Sequence, residues 1–127
     1  MQHVVPALRI TDYARSKAFY VDGLGFHVEW EHRFKPGLPV FAQINRDGMV
    51  LFLTEHTGDC PVGGLVHFYV PDVDGWYAEF QGKGVPVHEP PNQTIQGLRD
   101  MTVLDLDGNK LRFCTRQPGW SRDKPAS

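Results

Sequence analysis

A chain of 127 residues is long enough to bury one core without disulfide or metal staples, and too short for two ordinary domains. Thirteen basic against fifteen acidic side chains leave a formal charge of −2, which excludes the basic footprint expected of a nucleic-acid binder. No apolar run approaches the ~20 residues that cross a bilayer, and the start MQHVVPALRI has no basic-then-apolar leader pattern, so a soluble, cytoplasmic protein without membrane contact is expected.

The first element is a strand over 4–10, in which Pro6 must sit at an edge or hinge because it has no N–H to give a ladder. Thr11 or Asp12 can cap a following helix whose Tyr13, Ala14, Ala18, Phe19 and Tyr20 recur at helical spacing until Gly23 and Gly25 stop it. Strands are predicted over 26–32, 40–45 and 49–54, the last two joined by a hairpin at Arg46, Asp47 and Gly48. Residues 57–63, rich in glycine with Pro61, read as a linker.

The second half repeats the first: LRITDYARSKAFYVDGLGF is answered by VHFYVPDVDGWYAEFQGKGVPV, each a strand, an acidic helix start, an aromatic-bearing helix and a glycine stop. A strand over 64–70 leads to a helix whose Trp76, Tyr77 and Phe80 form an apolar core face. A short strand over 85–88, a proline-rich loop over 89–97 bordering a cavity, and strands over 101–104 and 110–115 complete the module. The divisions are module one 1–56, linker 57–63, module two 64–117 and a polar tail 118–127, within a single domain over 1–117. In the tail Trp120 either folds back on the surface or meets a partner chain. Cys60 and Cys114 have no CxxC spacing and read as free thiols, Cys114 as a small core residue.

This order of elements, with LRITDYARSKAFYVDGLGF, LVHFYVPDVDGWYAEF and LDLDGNKLRF, resembles the glyoxalase, bleomycin-resistance and ring-cleaving dioxygenase superfamily over about nine-tenths of the chain. The resemblance implies an α+β fold of two βαβββ modules whose curved mixed sheets enclose a cavity, paired as a homodimer, in some cases with the first strand exchanged. It implies four metal-ligand positions, one per symmetric strand, which fall here on Val5, Phe52, Leu65 and Arg112. The first three offer no lone pair and the fourth is a cation, so neither metal nor other cofactor is expected. The pattern is nearest the metal-free bleomycin-resistance proteins, which sequester a drug in a dimer-interface cleft; where those carry a stacking tryptophan before the seventh strand, Gly97 stands here.

Alternation within strands turns Leu65, His67 and Tyr69 to one face, and His3 with Val5 to another strand's equivalent face, so His3 and His67 could form a displaced metal site. Arg112 is either an anchor for a ligand anion or half of an internal ion pair. Trp30, His32 and Phe34 form either a stacking wall or a packed strand face, with Glu29 and Glu31 solvated on the other side. The leading expectation is a small-molecule binder, with no catalytic residues, whose cleft is walled by Phe34, Phe52, His67, Tyr69, Met101 and Arg112. The alternative is a divalent-metal lyase, isomerase or dioxygenase, or a metal-free catalyst using His67 and Arg112 as base and electrophile.

Overall fold

In the computed structural model, which describes residues 2–120, the chain forms two four-stranded mixed sheets with few helices, an α+β architecture. The described residues form two compact units: one comprises residues 2–64 with 105–109, the other residues 65–104 with 110–120. No helix among the described residues is long and apolar enough to cross a membrane.

The first unit holds β1 (Ala7–Arg9), α1 (Tyr13–Lys17), a π-helical stretch Ala18–Gly23, β2 (His27–His32), β3 (Phe41–Arg46) and β4 (Met49–Thr54). Its sheet runs β1-β4-β3-β2, with β1 parallel to β4 and the remaining pairs antiparallel. The strand predicted over 4–10 is shorter because Pro6 lies before it, contributing only its carbonyl to the Phe52 N–H. One face of this sheet is closed by Leu8, Ala42, Ile44, Leu51 and Leu53, buried with Tyr20 and Phe26. The helix predicted through Tyr20 widens after Lys17: Leu24 N–H donates to the Phe19 carbonyl at 3.0 Å, an i to i−5 bond.

Residues 105–109 cluster with this unit and explain the LDLDGN motif. The buried Asp105 carboxylate accepts from the backbone N–H groups of Asp107 and Asn109, from the Asn109 amide and from the Tyr20 hydroxyl at 2.7 Å. Asn109, fully buried, donates to the Arg9 carbonyl at 2.9 Å and accepts from the N–H groups of Gly63 and Gly64. The motif is a structural clamp in which every polar group shown has a partner.

The second unit holds β5 (Leu65–Tyr69), α2 (Val73–Gly82), β6 (Glu89–Ile95), β7 (Leu98–Leu104) and β8 (Lys110–Arg116), in the order β5-β8-β7-β6. Its core centres on Phe113, whose ring stacks on Phe68 at 4.8 Å and meets Trp76 and Phe80. Two expectations fail here. Residues 85–88 are not a strand, and the loop predicted over 89–97 is β6; Pro90 and Pro91 are accommodated because β6 is an edge strand, bulged between Glu89 and Asn92 where they lie.

The repeat is visible in the helix starts. In the first unit the Glu55 carboxylate, just beyond β4, accepts the Tyr13 N–H at 2.8 Å; in the second the Thr115 hydroxyl, at the matching place in β8, accepts the Val73 N–H at 2.7 Å. Each side chain satisfies an orphan donor of the first helical turn. The polar stretch over 121–127 lies outside the described residues.

Candidate functional site

In the second unit, register builds a site from three strands. His67 on β5 is paired with Arg112 on β8, and Arg112 with Thr102 on β7; one step along, Tyr69 pairs with Cys114, and Cys114 with Asp100. Because side chains alternate, these two rows share the face opposite Phe68, Phe113 and Met101. They line a cavity of about 460 Å³, closed at its margins by Leu98, Thr94, Ile95 and Trp120.

Arg112 is the distinctive group. It is half-buried, its Nε donates to the Thr102 hydroxyl at 3.3 Å, and no carboxylate among the described residues pairs with it. The internal ion pair is therefore not the arrangement adopted, and a guanidinium remains with donor capacity turned toward the cavity. Asp100, buried across from Cys114, accepts from the Thr94 hydroxyl at 2.8 Å. Arg116 lies 4.2 Å over the Tyr69 ring, fixing that ring by a cation–π contact at the cavity's edge.

Cys114 faces the cavity from β8. Burial pushes its thiol up to about 11, with the Asp100 charge adding and Arg112 opposing, so it stays protonated at neutral pH. Its sulfur is 3.6 Å from His67 Nδ1.

The first unit has a separate aromatic face. Trp30 stacks on Phe41 at 5.9 Å and 18°, and Phe52 tilts against both. A pocket of about 310 Å³ beside them is lined by Trp30, His32, Phe34, Phe41, His56 and Asp59. Phe34 lies beyond the end of β2, largely exposed, edge-on to both His32 and His56. Glu31 is exposed, as expected, and in addition accepts a hydrogen bond from the Tyr13 hydroxyl and pairs with Lys17 at 3.0 Å; a bulge between Val28 and Trp30 in β2 interrupts the simple alternation.

Of the six residues expected to wall one cleft, His67, Tyr69 and Arg112 meet in the second unit, while Phe34 and Phe52 belong to the aromatic face of the first. Met101 is a correction: it pairs with Phe113 and is fully buried on the helix-facing side of β7. Starting that strand at 101 hid the fact that Leu98, Asp100 and Thr102 are its cavity-facing residues. Trp120, expected either to fold back on the surface or to meet a partner chain, folds back onto this unit, and no spacing rule assigns it to this cavity.

The donor set at the four expected ligand positions does not fit a divalent ion: Val5, Phe52 and Leu65 present hydrocarbon and Arg112 a positive charge. His3 and His67 do not rescue it, since no three His, Cys, Asp or Glu side chains among the described residues gather to hold a metal.

The family model described as "Glyoxalase superfamily protein" matches residues 1–120. The chain belongs to the glyoxalase superfamily. No curated protein matches it significantly. Among solved structures, this glyoxalase-superfamily chain is similar to TioX from Micromonospora sp. ML1, with 24% identity, coverage of 91% of this chain and 99% of that one, and a TM-score of 0.75. It is equally similar to TnmS3, described as an antibiotic binding protein from Streptomyces sp. CB03234, at 24% identity, 92% and 98% coverage and a TM-score of 0.75. A glyoxalase/bleomycin resistance protein/dioxygenase from Nocardioides follows at 19% identity, 99% and 91% coverage and a TM-score of 0.70. At these identities the likeness is one of fold.

Proposed function

We propose that this glyoxalase-superfamily protein binds a small organic molecule, antibiotic-like in size, in the cavity of its second unit and holds it unchanged without a metal. The observation that carries the reading is Arg112, a half-buried guanidinium whose hydrogen-bond partner is the Thr102 hydroxyl and which lines an open cavity beside His67. A cation placed so in a fold needs an anionic or carbonyl partner to recover the cost of leaving water, and a ligand can supply it. The description of TnmS3 as an antibiotic binding protein supports the same class. Sequestration rather than turnover is favoured by the chemistry of the walls: Cys114 is held as a thiol, and the donor set does not suit a Lewis-acid ion.

We further infer a homodimer in the cytoplasm. Each sheet is open, with outer strands β1 and β2 in one and β5 and β6 in the other, and Trp30 and Phe34 in the first unit and Leu65 and Tyr69 in the second keep large apolar area exposed. Such edges and patches are relieved by association. Light scattering on the purified chain tests this, a monomer at micromolar concentration overturning it.

The test of function is native mass spectrometry with an antibiotic panel including bleomycin-type drugs, alongside metal analysis by plasma mass spectrometry. A saturable complex from which the drug is recovered unaltered, lost in Arg112→Gln, is expected. Near-stoichiometric metal with metal-dependent conversion of a bound compound would overturn it in favour of the lyase, isomerase or dioxygenase alternative.

A further inference from the structure

Beyond β8 the chain folds back onto the turn between β6 and β7. Gln117 N–H donates to the Gly97 carbonyl at 2.8 Å, and Trp120 N–H to the Gln117 carbonyl at 3.0 Å. Gly97, at φ +79°, lies directly under this returning backbone: a Cβ there would stand 2.4 Å from Trp120 N, 2.5 Å from Trp120 Cα and 2.8 Å from the Gly119 carbonyl carbon. Backbone in that place cannot step aside as a flexible side chain would, so the tail reaches the hairpin only because residue 97 has no side chain. The result of this close approach is that Trp120 becomes a wall of the same cavity that holds His67 and Arg112.

We propose that Trp120, delivered by this tail-to-hairpin latch, is a ligand-stacking and specificity-determining residue, and that together with Arg112 it selects a planar aromatic anion. This rests on the reading that the second-unit cavity is a binding site. The indole is half-buried, so it offers an apolar π-face without being consumed by the core. Arg112 supplies a planar donor fork suited to a carboxylate, sulfonate or phenolate. A flat ring against the indole with its anionic substituent on the guanidinium satisfies both within about 460 Å³. Two carboxylates share the lining: Asp100 accepts from the Thr94 hydroxyl, and Glu89, on the outer strand β6, stands in the same cross-strand row as Arg112, beyond Thr102; neither forms an ion pair with Arg112 among the described residues, and a comparison of anionic with cationic probes measures their pull against that of the guanidinium.

Isothermal titration calorimetry with 2-naphthoate, and with 2-naphthylmethylamine as its cationic counterpart, tests the proposal on the full chain. Wild type should bind the carboxylate in preference to the amine. Trp120→Ala should weaken naphthoate binding about 5- to 150-fold, the range that aromatic stacking carries, and Trp120→Phe should restore most of it. Gly97→Ala, which displaces the tail, should act in the same direction. Arg112→Gln should weaken the carboxylate and tighten the amine, whose charge then meets no like charge in the cavity. Undiminished naphthoate binding by Trp120→Ala, with loss in Arg112→Gln, would overturn the role of Trp120 while leaving the cavity as the binding site. Tighter binding of the amine by wild type would overturn the anion assignment. Insensitivity to Arg112→Gln, or no binding of either probe, would overturn both the inference and the site beneath it.

Discussion

Tyr20→Phe isolates one hydrogen bond in the buried clamp and carries its own internal control in pH. The Tyr20 hydroxyl, fully buried, donates to Asp105 Oδ2 at 2.7 Å. Removing it deletes a bond to a charged acceptor, for which the net value is about 1.5–3 kcal/mol. The lower end applies, about 1.5–2 kcal/mol, because the carboxylate keeps donors from Asp107 N, Asn109 N and the Asn109 amide and is not stranded. The phenol's ionisation is pushed well above its ordinary value, first by burial and then by the Asp105 charge and hydrogen bond. A raised folded-state pKa means stability that is intact well below the unfolded value near 10 and declines above it, by about 1.4 kcal/mol in all between neutral pH and pH 11. Urea unfolding at pH 7 and pH 11 should therefore show wild type ahead of the variant by about 1.5–2 kcal/mol at the lower pH and by about 1.4 kcal/mol less than that at the higher. The alkaline losses due to Cys114 and Tyr13, whose pKa values are also raised, occur in both proteins and cancel in the comparison. A pH 7 difference below about 0.5 kcal/mol, or a difference that does not narrow, would refute the assignment of that bond.

Asn109→Ala should be more damaging, by about 3–5 kcal/mol in the same urea assay, since it strands the Gly63 and Gly64 N–H groups and the Arg9 carbonyl together. Gly97→Ala and Gly48→Ala share a left-handed backbone, at φ +79° and +82°, but a Cβ at Gly48 meets nothing within 4 Å. The two should share a strain cost of about 1–2 kcal/mol, and only Gly97→Ala should expose Trp120, read as a rise in acrylamide quenching of its fluorescence in a chain whose Trp30 and Trp76 are replaced by phenylalanine. Iodoacetamide at pH 8 should modify Cys60 and spare the buried Cys114 until urea unfolds the chain, as followed by peptide mass spectrometry; equal labelling of both in the native protein would contradict the protonated, buried thiol. The exposed pair Asp74 with Arg99, at 2.8 Å, holds the Asp74 carboxyl below its usual range. Any stability it adds is lost as pH falls through that depressed value, and Asp74→Asn should change the neutral-pH unfolding midpoint little.

What was legible in the sequence follows from which interactions are local. The two helix starts, the Gly48 hairpin and the duplicated strand-helix pattern depend on residues a few positions apart, and each is found in the structure. The pairing of His67 with Arg112 was reachable because period-two alternation alone turns both away from the core once their strands are placed. Errors arose where a local rule was read without its context. Two adjacent prolines argued against a strand, yet β6 lies at an edge and bulges at those residues, so the missing N–H groups cost no ladder bond inside the sheet. Extending β7 only from Met101 then turned a core residue toward the cavity and left out Asp100.

Gly97 shows the deeper reason. Expected at the end of a proline-rich loop, it is in the structure a turn glycine on the β6–β7 hairpin, at φ +79°. Its second role, admitting a backbone that returns from more than twenty residues downstream, leaves no trace in spacing or composition because it is a vacancy required by another segment. The same holds for Arg112, whose neighbours in sequence do not reveal whether its charge is met; only the positions of Thr102 and Asp100 on the next strand decide that it is not. A binding cavity is thus least visible from sequence where its polar groups lack partners, since an unmet donor is a relation among strands rather than a property of a residue. That is also where a ligand gains most, because the guanidinium has already left part of its water and needs only an acceptor to complete its shell.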